Sequence, residues 1–143
     1  LSDDDVTLSG PLFDGTAARA ARDGAAAIRR KLAAEGAKIA GMNLAGSIHD
    51  EHSGRAVRSV TTTSSSRVYQ TGRYSLPVAA AENETVVTAD LATYGPWLEG
   101  TGSRNETTRF KGYHSFRRAA QQLDREALSI AGKAFAPYVR RMS

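Results

Sequence analysis

TYGPWLEGTGSRNETTRFKGYHSFRR, Thr93 to Arg118, holds the only Trp, two of the five Tyr, two of the four Phe and five of the nineteen basic residues. Apolar anchors and positive charge are therefore concentrated in about one fifth of the chain. Pro96 pre-sets φ for a first helical turn, so Pro-Trp-Leu-Glu reads as a single turn after an extended Thr93-Tyr94-Gly95. Gly100 and Gly102 should end it. A polar loop, Ser103 to Thr108, leads to Phe110, and after Gly112 the residues Phe116, Ala119, Ala120, Leu123 and Ala127 follow an amphipathic helical spacing.

Downstream, the same periodicity runs on through Ile130, Ala134 and Val139, which predicts a last helix from about Ser115 to Met142 with Ser115 as N-cap and Pro137 kinking or ending it. Upstream, Thr85-Val86-Val87-Thr88-Ala89-Asp90-Leu91 is the clearest strand in the chain. Tyr74 to Ala81, with Pro77, reads as a connection. Between Arg55 and Arg73, Val57, Val60, Thr61 to Thr63, Val68 and Tyr69 favour strand around Ser64-Ser65-Ser66, which predicts a hairpin with a polar tip or bend. From Thr16 to about Leu44 the chain is alanine-rich and helical. Asp14 or Thr16 is available as its N-cap, and Ala21, Ala25, Ile28, Leu32 and Ile39 form the expected buried line. Gly24 and Gly36 each weaken that helix by about 1 kcal/mol relative to Ala, so packing must hold it. Val6-Thr7-Leu8 is a short edge-strand candidate ended by Gly10-Pro11.

At 143 residues the chain reads as one domain, 1–143, able to bury about two-thirds of its extended surface. The absence of cysteine excludes disulfides, thiolate metal sites and cysteine nucleophiles. No apolar run approaches the ~20 residues of a bilayer span, and LSDDDVTLSG is acidic where a signal peptide would be basic, so neither membrane insertion nor secretion by that route is expected. A net charge of +4 favours acidic partners or nucleic acid without the density of a dedicated DNA-binding domain.

Catalytic patterns fail one by one. His49-Asp50-Glu51-His52 has two histidines three apart, where metalloproteases place them four apart on a helix, and Ser53-Gly54 breaks any helix there; it reads as a solvated loop. Asp3-Asp4-Asp5 lacks the further oxygen ligands and turn of a cation cage. Gly100-Thr101-Gly102-Ser103 has no Lys for a phosphate loop, and no Gly-x-Ser-x-Gly elbow exists. Glu99 beside Trp97 has no facing carboxylate at a telling spacing. No enzyme, metal or cofactor is expected.

The run Tyr94-Gly95-Pro96-Trp97-Leu98-Glu99-Gly100-Thr101-Gly102, then Arg109-Phe110, then a closing helix from Phe116, resembles the signature of the tail-completion, or head-tail joining, proteins of long-tailed bacteriophages, in the form found in phages of actinobacteria. Two positions depart from that pattern: Thr101 falls between the glycines where many members read Phe-Gly-Thr, and Lys111 replaces a usual Leu or neighbouring Pro. The resemblance implies a structural virion protein of the neck, formed in the host cytoplasm. It implies copies of the chain in a ring, a hexamer or dodecamer, joining the head connector to a tail terminator or tail tube, with genomic DNA passing through the lumen without sequence-specific binding. Binding alone would be its mechanism, with no membrane contact.

The fold expected from both routes is α+β: a long N-terminal helix and a C-terminal helix packed on a small antiparallel sheet of three to five strands, with the Ser/Thr-rich hairpin projecting. Trp97 and Leu98 should anchor the knuckle on the core, since one helical turn is unstable without tertiary support. Tyr94, Trp97, Glu99, Arg104, Arg109, Phe110, Lys111, Tyr113, Arg117 and Arg118 are expected at subunit or partner contacts, the basic ones pairing with acids such as Glu99, Glu106 and Asp124 of their own or adjacent chains. The alternatives are a tail terminator ring protein, or a small basic nucleic-acid-binding protein that stacks bases on Trp97 or Tyr113.

Overall fold

The computed structural model describes residues 8–47, 60–63, 67–71, 74–78, 86–88 and 95–143, with the backbone alone for the strands between 61 and 88. Its elements are α1 (Thr16–Ser47), β1 (Thr61–Thr63), β2 (Arg67–Thr71), β3 (Tyr74–Val78), β4 (Val86–Thr88), α2 (Gly95–Glu99), α3 (Arg104–Thr107) and α4 (Ser115–Val139). Asp3 to Asp5, His49 to His52, Ser64 to Ser66 and Tyr94 lie outside the described residues.

The architecture is helical, and the expected α+β arrangement is not what forms. α1 and α4 pack on each other rather than on a common sheet. Their antiparallel register is visible at both ends: Asn43 Nδ2 donates to Ser115 O (3.0 Å) and Arg118 to Ser47 Oγ (3.1 Å) at one end, while Gly24 faces Phe135 and Tyr138 at the other. Among the described residues, extended backbone occurs only in two separate antiparallel ladders of two short strands. In one, Thr61 faces Thr88 and Thr63 faces Val86; in the other, Arg67 faces Val78 and Thr71 faces Tyr74. Neither is a layer of three to five strands covering two helices. The expected connection at Tyr74 instead pairs with the β-rich stretch before it, with Pro77 opposite Val68. Of the strand expected over Thr85 to Leu91, Val86–Thr88 is strand, and the rest lies outside the described residues. Strand preference measures fit to a half-buried pleated surface; here the long apolar stripes that such a surface would cover are taken up by each other.

The buried face of α1 also differs from the expected one. Ala20, Gly24, Ala33, Gly36, Ile39, Ala40, Gly41 and Leu44 are buried, whereas Ala21 is exposed and Ala25, Ile28 and Leu32 are only partly covered. Close approach selects the smallest residues: a β-carbon on Gly24 would sit 2.5 Å from Phe135 Cδ2 and 3.2 Å from Tyr138 Cβ. Gly24 is thus a notch for the Phe135 ring, and the helix propensity it forgoes, about 1 kcal/mol, is offset by that contact. The core proper is Ile39, Ala40 and Ala119, with Val60 and Phe116 packed against it. Ile39 and Leu44 are the only large apolar side chains buried among the described residues. At about 1.5–3 kcal/mol each, they leave the hairpin thinly supported for 32- and 25-residue helices. Pro137 lies inside α4, two residues before its end, where few backbone bonds remain to break.

Candidate functional site

Residues 95–114 form a knuckle against the start of α4. α2 is one turn, as the Pro96 and Gly100 signals predict, and its end is closed by an unusual convergence: the N–H groups of Gly100, Thr101 and Gly102 all donate to Pro96 O at 3.0, 2.8 and 3.0 Å. Gly100 at φ 94 makes the reversal possible. The stretch Ser103 to Thr108, expected as loop, contains the helical turn α3.

Asn105, a residue the sequence did not single out, pins the knuckle. It is 5% exposed; its Oδ1 accepts from Gly102 N–H (3.0 Å), and its Nδ2 donates to Trp97 O (2.9 Å) and Phe110 O (3.2 Å). One amide therefore ties α2, the glycine turn and the segment at Phe110 together. Lys111 Nζ donates to Asn105 O (2.7 Å) and Glu106 O (3.4 Å), placing a cation on the carbonyl end of α3. Tyr113 N–H donates to Leu98 O at 2.6 Å.

The two halves of the knuckle touch through backbone. A β-carbon on Gly112, at φ 96, would collide with Gly100 Cα and N and lie 2.7 Å from Glu99 C; one on Gly100 would collide with Lys111 O and lie 2.5 Å from His114 Cε1. Only two glycines allow this approach. His114 itself is left-handed at φ 53, a conformation that costs a non-glycine residue about 1–2 kcal/mol.

Glu99, expected at an interface, caps α4 of its own chain: its carboxylate accepts from Phe116 N–H (3.1 Å) and Arg117 N–H (2.9 Å). Two orphan donors and the positive end of the helix are satisfied by a residue 17 positions away. Ser115, expected as the cap, is 1% exposed with no partner for its Oγ among the described residues, and the N-cap position falls to His114.

The aromatic residues form a chain. Trp97 and Phe110 have ring centroids 4.6 Å apart at 53°, Phe110 and Tyr113 4.9 Å apart at 68°, and the Arg104 guanidinium lies 5.8 Å above Trp97. Trp97 thus anchors on the knuckle's own aromatics, separate from the Ile39–Ala119 core. Its Nε1 is buried without a partner among the described residues.

Arg104, Arg109 and Arg117 are exposed, and the Arg118 guanidinium reaches Ser47. Among the described residues they do not pair with Glu99, Glu106 or Asp124 of the same chain; the ion pairs there are Lys31–Glu35 and Lys38–Glu35. Carboxylate, amide and ammonium groups are thereby committed to the knuckle's own backbone, while guanidinium groups and the Tyr113 edge face outward. No group of three or more His, Asp or Glu is placed to hold a metal among the described residues. None of the described helices is long and apolar enough to cross a membrane. The Asn105 pin has one sequence signal, an Asn two residues into a short polar run after Gly-Ser; the Gly100–Gly112 contact has none beyond the glycines themselves.

No protein-family model matches the chain, and comparison with characterised proteins and with solved structures gives no match either.

Proposed function

We propose that the chain is a structural subunit of the neck of a long-tailed bacteriophage particle, repeated in a ring between head connector and tail tube, and that it acts by binding alone. The observation that carries this reading is the division of labour in the knuckle. Its acid, amide and lysine hold the backbone, while Arg104 and Arg109 on the glycine-locked frame, and Arg117 and Arg118 on the adjoining first turn of α4, have no acidic partner among the described residues. A rigid frame lowers the entropy cost of binding, and guanidinium groups suit paired hydrogen bonds to carboxylates. The thin core points the same way, because a two-helix hairpin with two large buried side chains gains from neighbours on its other faces. The nucleic-acid reading has less support: of its two stacking platforms the Trp97 ring is already covered by Phe110 and Arg104, which leaves Tyr113 alone.

The test is charge reversal, Arg104→Glu with Arg109→Glu, scored by native mass spectrometry of the chain with its neck partners and by the yield of joined heads and tails. Loss of assembly with an unchanged melting temperature is the expected result. Normal joining together with weakened, salt-dependent DNA affinity of the isolated chain would reject the arginines' interface role and promote the nucleic-acid reading.

A further inference from the structure

The antiparallel register that sets Gly24 against Phe135 and Tyr138 places residues 14–33 and 127–143 at one end of the hairpin. Of the nineteen basic and fifteen acidic side chains in the chain, eight basic and two acidic ones fall there, which leaves eleven and thirteen for the rest. The net charge of +4 thus belongs to this end alone, and the remainder is net acidic.

Four of those eight share a face. At about 100° per residue, Arg19, Arg22, Arg29 and Arg30 fall within an arc of about 100° on α1, on the side away from the buried Ala20 and the Gly24 notch. Arg19, Arg22 and Arg30 are exposed and Arg29 is half-buried. Few acids can neutralise them. Asp23 lies exposed at the edge of the arc, without an ion pair among the described residues. Asp14, near Arg19, accepts from Thr16 N–H (2.8 Å), and Arg19 itself donates to the Thr16 hydroxyl (3.2 Å). Glu35 is taken up by Lys31 and Lys38 at 3.5 and 3.9 Å.

The apolar residues among the four arginines are Ala18 and Ala26, so no large side chain holds a partner away from the helix, and none is there to enter a lipid layer. From Arg19 to Arg30 the face is straight and about 16 Å long at about 1.5 Å per residue. Over that length duplex DNA carries about nine phosphate charges. Guanidinium groups match phosphate oxygens through paired hydrogen bonds. An acidic peptide would have to be ordered to offer the same line of charge, whereas a duplex is straight before it binds.

We propose that the Arg19–Arg22–Arg29–Arg30 face of α1 lies along the phosphate backbone of duplex DNA, with contacts to phosphates and none to bases. Such a contact uses no stacking platform and is therefore separate from Trp97 and Tyr113. It rests on the charge of one helix face, whether or not copies of the chain close a ring.

The test is the affinity of the full chain for a short mixed-sequence DNA duplex, read by fluorescence anisotropy across a salt series. Four phosphate contacts give a slope of log affinity against log salt of about −3.6, a roughly hundredfold weakening between about 50 and 200 mM salt. Arg22→Gln with Arg30→Gln should make the slope shallower by about two, one for each arginine. Lys38→Gln with Arg125→Gln removes the same charge elsewhere and should leave the slope as it is, with helix content by circular dichroism retained in both double variants. Asp23→Asn, which removes the acid at the edge of the face, should tighten binding severalfold, and a duplex of another sequence should bind equally well. No affinity at about 50 mM salt, an equal loss from the two double variants, or no tightening in Asp23→Asn would overturn the proposal. Tighter retention on phosphatidylglycerol vesicles or on polyglutamate than on the duplex would overturn it in favour of a membrane surface or an acidic protein. Native mass spectrometry separates it from the ring reading. A closed ring from a chain without duplex affinity rejects this contact and keeps the ring; duplex affinity carried by Arg22 and Arg30 in a chain that forms no ring keeps the contact and rejects closure.

Discussion

The knuckle and the helical hairpin are held together in opposite ways. In the hairpin, contact is spread over a long stripe of Ala and Gly, with each side chain contributing little and one notch, Gly24, accepting a ring. In the knuckle, few groups do most of the holding: three N–H groups on one carbonyl, one buried amide with three bonds, and two glycines in backbone contact. Distributed packing tolerates single changes because neighbouring side chains relax, whereas a directional constraint fails when one group is lost. Local rigidity in this protein therefore does not track the size of the core.

The sharpest way to break that comparison is a pair of glycine substitutions. Gly112→Ala would place a methyl group against the Gly100 backbone at a positive φ, and should cost on the order of 4 kcal/mol in urea denaturation, at the diagnostic end for single substitutions. Gly132→Ala, on α4 with open space around its β-carbon, should instead stabilise by about 0.5–1 kcal/mol. Equal effects would mean that the knuckle yields as readily as a helix surface.

Asn105→Ala should come next. It removes three hydrogen bonds at once, leaving Gly102 N–H on Pro96 O, Trp97 O with Gly100 N–H (3.3 Å) and Phe110 O with Thr108 Oγ1 (3.1 Å), for a loss of about 2–3 kcal/mol. Near-UV circular dichroism should show the Trp97 environment loosening at temperatures where far-UV helix content is retained; a single transition in both would show that knuckle and hairpin unfold as one unit.

Gly24→Ala pits about 1 kcal/mol of helix propensity against displacement of the Phe135 ring, typically 1–3 kcal/mol. A net loss near 1 kcal/mol is expected, and Phe135→Leu in the same chain should recover most of it. A stabilised single variant would place the ring elsewhere.

The smallest effect concerns the turn before α1. The Thr16 hydroxyl, then the Thr16 N–H (2.8 Å to Asp14 Oδ1), hold the Asp14 carboxyl below its ordinary value. Because the folded value is the lower one, this stabilisation is present above the unfolded value and is lost as pH falls through the folded one, in the range below about pH 4. Carbon-detected NMR titration of the Asp14 carboxyl should place its midpoint below that of an unstructured Asp, and a midpoint at or above it would remove the cap.

Much of the local structure is legible in the residues. The single turn at Pro96–Glu99, its end at Gly100, the long alanine-rich helix from Thr16 and the terminal helix from Ser115 follow from proline geometry, glycine freedom and apolar spacing, all of which act within a few residues. What the spacing misjudged is the face that α1 buries: by hydrophobicity Ile28 and Leu32 outrank Gly24 and Ala20, yet closeness of approach favours the smaller pair.

The sequence by itself determined where the two long helices and the Pro96 turn run, though not the α3 turn, because hydrogen bonds from one residue to the fourth before it and the φ of Pro96 and Gly100 are local properties. Only the tertiary structure decided that the two long helices pack on each other instead of on a sheet, that Glu99 caps a helix begun sixteen residues later, and that Asn105 is the pin of the knuckle. The physical reason is common to all three. Each depends on which distant group arrives within about 3 Å of a polar atom or a missing β-carbon, and neither residue type nor periodicity encodes that arrival.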